Sequence, residues 1–195
     1  VTGVQTCALP IFTGSSSIRH SLRCGAMLAE LVDDHADKYL RAADAIDSVV
    51  RTNLGAFEPK ERWAMDWYYP VMTGTMDGPQ AKDRLASLWN TFAIDGLGIR
   101  CVSDEPWVTA AETAECSLAH SALGDVDTAI KLLSWTRAHR CDDGSYLTGI
   151  VYPDRVSFPA DERTAYTGAA IILAVDAISA ASPGSRLFKH GYLDH

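Results

Sequence analysis

A chain of 195 residues with 47% hydrophobic side chains is long enough for one domain, or a piece of a larger one, with a substantial core. Its 25 acidic against 17 basic residues give a net charge of -8, which excludes a general nucleic-acid or anionic-membrane surface because no basic patch offsets the repulsion. The longest apolar run, Gly168 to Val175, ends at Asp176, far short of the ~20 residues that span a bilayer, and a cytoplasmic protein without a membrane span is expected.

The five cysteines (Cys7, Cys24, Cys101, Cys116 and Cys141) form no CxxC pair and read as reduced thiols. No signal peptide is visible. Residues 1–11 fit no period or cap and look like translated read-through of a sequencing adapter, so they are set apart from the fold. The chain lacks an initiator Met, and the natural protein is expected to continue upstream of residue 12.

Taken in order, Gly14 to Ser17 form an N-cap cluster for a helix carrying Ile18, Leu22, Met27, Leu28 and Leu31. A half-exposed helix follows, with Tyr39, Leu40, Ala43, Ile46 and Val50 on one stripe. The run from Glu61 to Met72 is aromatic and nearly uncharged, so it reads as buried, and Pro70 should kink or end it. After a break to Pro79 comes an amphipathic helix with Ala81, Leu85, Leu88, Trp89 and Phe92, and then a loop or short strand at 96–102. An alanine-rich helix from Trp107 to Leu123 and an amphipathic one from Val126 to His139 are joined by Gly124-Asp125. Residues 140–159 read as an extended loop with room for a hairpin, and Asp161 to Ser179 as a helix apolar nearly all round. Residues 183–195 read as a coil tail.

Buried and amphipathic runs alternate, the pattern of paired inner and outer helices. Three inner helices open alike, at Glu61-Arg62-Trp63-Ala64, Glu112-Thr113-Ala114 and Glu162-Arg163-Thr164-Ala165, 51 and 50 residues apart. The fold class expected is all-α, with residues 12–182 forming about half of an (α/α)6 toroid; the missing upstream half of the same protein would be its partner. Links from inner to outer helix are short and those from outer to inner helix are long. The long loops therefore gather where inner helices begin, and a small-molecule site is expected there.

The run Ala129 to Tyr146, ending His139-Arg140-Cys141-Asp142-Asp143-Gly144-Ser145-Tyr146, resembles the repeat of the prenyltransferase and squalene/hopene cyclase superfamily. In that family a polar residue, commonly Gln, precedes Asp-Gly-Ser-Trp. Here His139 and Tyr146 stand in place of the Gln and Trp, and Thr164 to Ala170 resembles the inner helix that follows. The resemblance implies a toroid, and a transferase or cyclase acting on an isoprenoid. It does not carry over the chemistry, since no zinc set of Asp, Cys and His can be assembled and no DxDD motif is present. Zinc is not expected, and no motif supports magnesium.

Asp104, Glu105, Glu112 and Glu115 crowd one helix mouth, and Asp66 lies among aromatics. Such carboxylates suit acid/base work; the other reading is helix-dipole placement or packing for those at the mouth, and a backbone or Arg partner for Asp66. Trp63, Tyr69, Trp107, Tyr146 and Tyr152 suit an aromatic cup for an isoprenoid cation or a sugar. Arg100 and Arg140 lie in or beside the long loops and suit an anionic group. Asp143, Glu162 and Tyr166 complete the candidate binding set, and His120 reads as structural. The alternative function is a carbohydrate-active toroid enzyme with Asp66 paired to Glu105, Glu112 or Glu115; a second alternative is a non-catalytic repeat scaffold.

Overall fold

The computed structural model describes residues 9–193. Its helices are α1 (Phe12–Leu31), α2 (Asp37–Thr52), α3 (Ala64–Met72), α4 (Gly78–Phe92), α5 (Ala110–Ala122), α6 (Val126–Trp135) and α7 (Ala165–Ser179). The odd-numbered helices pack in a row, α1 on α3, α3 on α5 and α5 on α7; α2, α4 and α6 back that row as an outer layer. The chain is therefore mostly helical, with paired inner and outer helices. α5 lies at the centre and is buried along its length except at Glu112 and Ser121, because its alanines let neighbours approach closely.

Trp67 stacks on Phe92 with ring centroids 5.4 Å apart, and Tyr68, Leu118 and Leu132 complete a core of fully buried side chains. Burying each large apolar side chain is worth about 1.5–3 kcal/mol. Pro70 lies inside α3 and cannot donate to the carbonyl of Asp66. That freed carbonyl accepts instead from Arg84 Nη2 at 2.6 Å, and Arg84 Nε donates to the Trp67 carbonyl at 2.9 Å. One outer-helix arginine thus repairs the helix that the proline interrupts.

The helix ends differ from the periodicity. α1 begins at Phe12, before the serines, because Phe12 is buried against Phe57 at 5.0 Å and Ser16 is fully buried inside the helix. α3 and α7 begin three and four residues later than expected, at Ala64 and Ala165. Trp63 is extended, in a bridge with Val102.

The all-α expectation also omits a small sheet. Strands β1 (Ala93–Ile94), β2 (Gly98–Arg100), β3 (Trp107–Thr109), β4 (Gly149–Val151) and β5 (Val156–Ser157) pair antiparallel in chain order. The register sets Ile99 opposite Thr109 and Val108 opposite Ile150. Trp107 therefore belongs to a strand, not to the helix. Strands of two or three residues carry no readable period, and what holds them is a local core of Val108, Ile150 and Tyr152.

α7 is apolar all round, yet only Ala170, Ile171, Ala174 and Thr167 are buried; Ile172 and Val175 are exposed, as are Ile18, Leu28 and Leu31 on α1. The tail is irregular beyond a turn at Pro183–Arg186, but it is not loose. Phe188 stacks on His20 of α1 at 5.0 Å, His190 Nε2 lies 2.6 Å from the Val71 carbonyl of α3, and Leu193 is buried. No helix among the described residues is long and apolar enough to cross a membrane.

Candidate functional site

The helix starts of α3, α5 and α7 are tied together at one end. Trp63 bridges to Val102, Thr109 pairs with Gly149, and Thr148 N donates to the Glu162 carbonyl. The 50-residue register of Glu61, Glu112 and Glu162 thus becomes a common mouth, fed by the long connections.

Inside that mouth, Glu115 is 5% exposed and accepts three phenol hydroxyls. Tyr68 Oη donates to Oε2 at 2.6 Å, Tyr69 Oη to Oε1 at 3.0 Å, and Tyr166 Oη also to Oε1. The donors come from α3 and α7, the two inner helices flanking α5. Burial pushes the Glu115 carboxyl above its ordinary value; the bonds from Tyr166 and Tyr68 pull it back, and the charge of Glu112 pushes it up. The Tyr68 and Tyr166 hydroxyls are raised in turn by burial and by the charge of Glu115, so they stay donors.

Glu112 lies one turn nearer the mouth and is half-buried. It accepts from Cys101 Sγ at 3.3 Å and from the Thr109 hydroxyl. Burial, followed by the charge of Glu112, holds the Cys101 thiol well above its ordinary value, so it remains a thiol.

Asp66 is half-buried and accepts from Thr13 Oγ1 at 3.2 Å. Burial raises its carboxyl, against the Thr13 bond and the charge of Arg84. It opens on a cleft of about 570 Å³ that Trp63, Phe57 and Glu61 also line. Trp63 is 43% exposed there, with the Arg62 guanidinium 5.3 Å from its ring centre.

The other expected residues have different surroundings. Asp104 pairs with Arg62 at 2.9 Å on the surface, and Glu105 is exposed. Arg100 donates to the Ser103 carbonyl at 3.3 Å, and Arg140 is exposed beside its bridge to Tyr146. Trp107 donates its indole N–H to the Phe158 carbonyl at 2.9 Å. Tyr146 packs on the main core, Tyr152 is buried in the sheet's core, and Glu162 is exposed. His120 lies 2.9 Å from Asp125 Oδ2 and edge-on to Trp89; His139, in the Gln position, is fully buried with Nε2 3.3 Å from the Val108 carbonyl.

Asp143 accepts from Ser145 N at 2.9 Å and Ser145 Oγ at 2.6 Å and pairs with Arg163 at 2.8 Å, across Gly144 at φ +87°. The Asp-Gly-Ser motif is therefore a self-bonded turn. Tyr68 and Thr13 escaped the sequence reading. The repeat register carries a signal for the Tyr166 contact, because a 50-residue step from Glu115 falls next to Tyr166. Among the described residues, no three His, Cys, Asp or Glu side chains are grouped to hold a metal.

No family model matches the chain. It is 44% identical over 179 residues to MMP endo-(1,4)-3-O-methyl-alpha-D-mannosidase of Mycolicibacterium hassiacum, covering 92% of this chain. The chain spans about half, 50%, of that curated relative's length. This similarity overturns the expectation of a prenyltransferase-like or terpene-cyclase-like transferase on an isoprenoid: the relative is named a mannosidase, a glycoside hydrolase. The motif that carried the resemblance is a turn that shapes a loop, so it reports architecture and no reaction.

Proposed function

We propose that this chain contributes one wall of the active site of a glycoside hydrolase acting on α-(1,4)-linked 3-O-methylmannosides. The observation that supports the reading most is the pair of part-buried carboxyls on neighbouring inner helices, Asp66 of α3 open to the cleft and Glu112 of α5 at the mouth. Glycosidic cleavage needs two carboxyl groups, one to protonate the leaving oxygen and one to activate water or attack the sugar.

Asp66, with its carboxyl raised by burial and open to the cleft beside Trp63, suits the acid. Glu112, the part-exposed carboxylate of α5, suits the second role. Glu115 has most of its acceptor sites occupied and acts as a positioning residue, fixing the Tyr69 and Tyr166 rings. Exposed Trp63 and Tyr166 offer faces on which a sugar ring can stack.

The test is a full-length chimaera in which residues 12–190 replace the matching half of the M. hassiacum relative. The expected result is release of shorter fragments from a 3-O-methylmannose oligosaccharide, with kcat lowered about 10²–10⁴-fold in Asp66→Asn and in Glu112→Gln. A folded chimaera that cleaves nothing, or one whose two variants keep full activity, would overturn the reading.

A further inference from the structure

The stretch Thr109-Ala110-Ala111-Glu112 opens α5 with the spacing of a capping box, in which the threonine hydroxyl and the glutamate carboxylate bond back to the backbone of the first turn. Neither bond is made. Thr109 is already a strand residue, paired with Ile99 and Gly149, and its side chain caps no N–H of α5. Its hydroxyl donates instead to Glu112 Oε2, and the Cys101 thiol donates to Oε1 at 3.3 Å. The carboxylate is thus held by a hydroxyl and a thiol, one to each oxygen. Both donors are themselves fixed. Cys101 N donates to the Trp107 carbonyl at 3.0 Å, and the Cys101 carbonyl accepts from Ala64 N, the first residue of α3, at 3.0 Å. The Thr109 carbonyl accepts from the Thr113 hydroxyl at 2.7 Å. Cys101 therefore links the start of α3, the helix of Asp66, to the carboxylate of α5.

We propose that Cys101 and Thr109 are positioning residues that clamp Glu112 in one orientation at the mouth, so that its open lone pairs meet the water or the sugar carbon on which it acts. The proposal rests on the glycoside hydrolase reading above for the work that Glu112 does. Its logic is the number and strength of the donors. An ionised carboxylate offers about four acceptor sites. Three phenols occupy most of those on Glu115, whereas two donors leave about half of those on Glu112 open. A thiol is a weak donor and brings no positive charge. It therefore fixes the direction of the carboxylate without neutralising it, as an arginine or lysine in its place would. Burial keeps the Cys101 thiol protonated, so it remains a donor. A carboxylate free to rotate loses its alignment with the reacting atom, and a misplacement of about 1 Å costs about 10²-fold in rate.

The direct test is infrared spectroscopy of the chain itself. The S–H stretch that disappears in Cys101→Ala belongs to Cys101. It should lie below the frequency of a thiol without an acceptor, and Glu112→Gln should move it up, because a neutral amide oxygen accepts less strongly than a carboxylate. A Cys101 band at the free-thiol position, or one that Glu112→Gln leaves in place, would overturn the clamp. In the full-length chimaera, Cys101→Ala should lower kcat about 10–10²-fold with KM unchanged, and Cys101→Ser, which keeps a donor, should recover most of the loss. Thr109→Val should lower kcat in the same way, with Thr109→Ser restoring it in part. Serine variants no better than the variants without a donor, or a loss carried by KM alone, would also overturn it. The two readings fail separately. If the chimaera cleaves its substrate and Cys101→Ala cleaves it as fast, the hydrolase reading stands and the positioning role falls. If the thiol band responds to Glu112 but the unmutated chimaera is inert, the clamp stands and the hydrolase reading falls.

Discussion

The Tyr68 hydroxyl on α3 donates to Glu115 Oε2 on α5 at 2.6 Å, with both side chains buried. This bond crosses between two neighbouring inner helices and ends on a carboxylate, so it ties fold to site. Tyr68→Phe should lower the unfolding free energy by about 1.5–3 kcal/mol, the range for a hydrogen bond to a charged group. Tyr166→Phe, with a half-exposed ring, should cost less. Urea unfolding of both variants gives the comparison, and equal losses would contradict it.

Glu115 also sets a pH dependence. Burial raises its carboxyl above the ordinary 4.5, so the folded protein binds that proton more readily than the unfolded chain does. Its contribution to stability is full below about 4.5 and is lost as pH rises through the raised value. Glu115→Gln removes this titration. The stability of the wild type relative to Glu115→Gln should fall as pH rises above 4.5 and level off once the folded carboxyl is ionised. Parallel stability curves for the two proteins would refute the assignment.

Arg19 and Asp47 form a buried pair at 3.0 Å between α1 and α2, and Arg23 reaches the same carboxylate at 3.2 Å. Asp47→Ala removes the buried carboxylate that Arg19 and Arg23 share and should cost about 3–5 kcal/mol. Asp44 also pairs with Arg23 but has a side chain 63% exposed, and its alanine variant should fall within about 1 kcal/mol of wild type. Thermal melting distinguishes the two.

Gly98 adopts φ +138°, and a Cβ there would lie 2.6 Å from both Thr113 Oγ1 and Val108 Cγ1. The same Thr113 hydroxyl accepts from Ile99 N at 2.9 Å, so the clash lands on the contact that seats β2 against α5. Gly98→Ala combines backbone strain with overpacking and should cost about 2–4 kcal/mol. A variant as stable as wild type would show that this contact is not tight.

Asp104 and Asp66 are both carboxylates of the mouth by sequence, yet Asp104 is paired with Arg62 on the surface and Asp66 faces the cleft. In the full-length chimaera, Asp104→Asn should leave both kcat and melting temperature unchanged, whereas Asp66→Asn should lower kcat alone. Loss of activity in Asp104→Asn would move the site outward from the cleft.

The sequence by itself determined the alternation of buried and amphipathic helices and, through the spacing of Glu61, Glu112 and Glu162, the end of the stack at which inner helices begin. Both follow from periodicity, which is local and survives without knowledge of any partner. It also placed Glu112, Glu115, Asp66 and Trp63 among the candidates. Only the tertiary structure gave the candidates their surroundings. Asp104 turns outward to Arg62 and Glu115 turns inward to three tyrosines because neighbouring chain segments, distant in sequence, supply the partners. The five short strands depend on cross-strand contacts that no run of two or three residues encodes, and the place of Phe188 depends on His20 and Val71, more than 100 residues away. The resemblance through Asp143-Gly144-Ser145 misled for the same reason: a turn that bonds to itself is written in local sequence, and the chemistry of a site assembled from three helices is not.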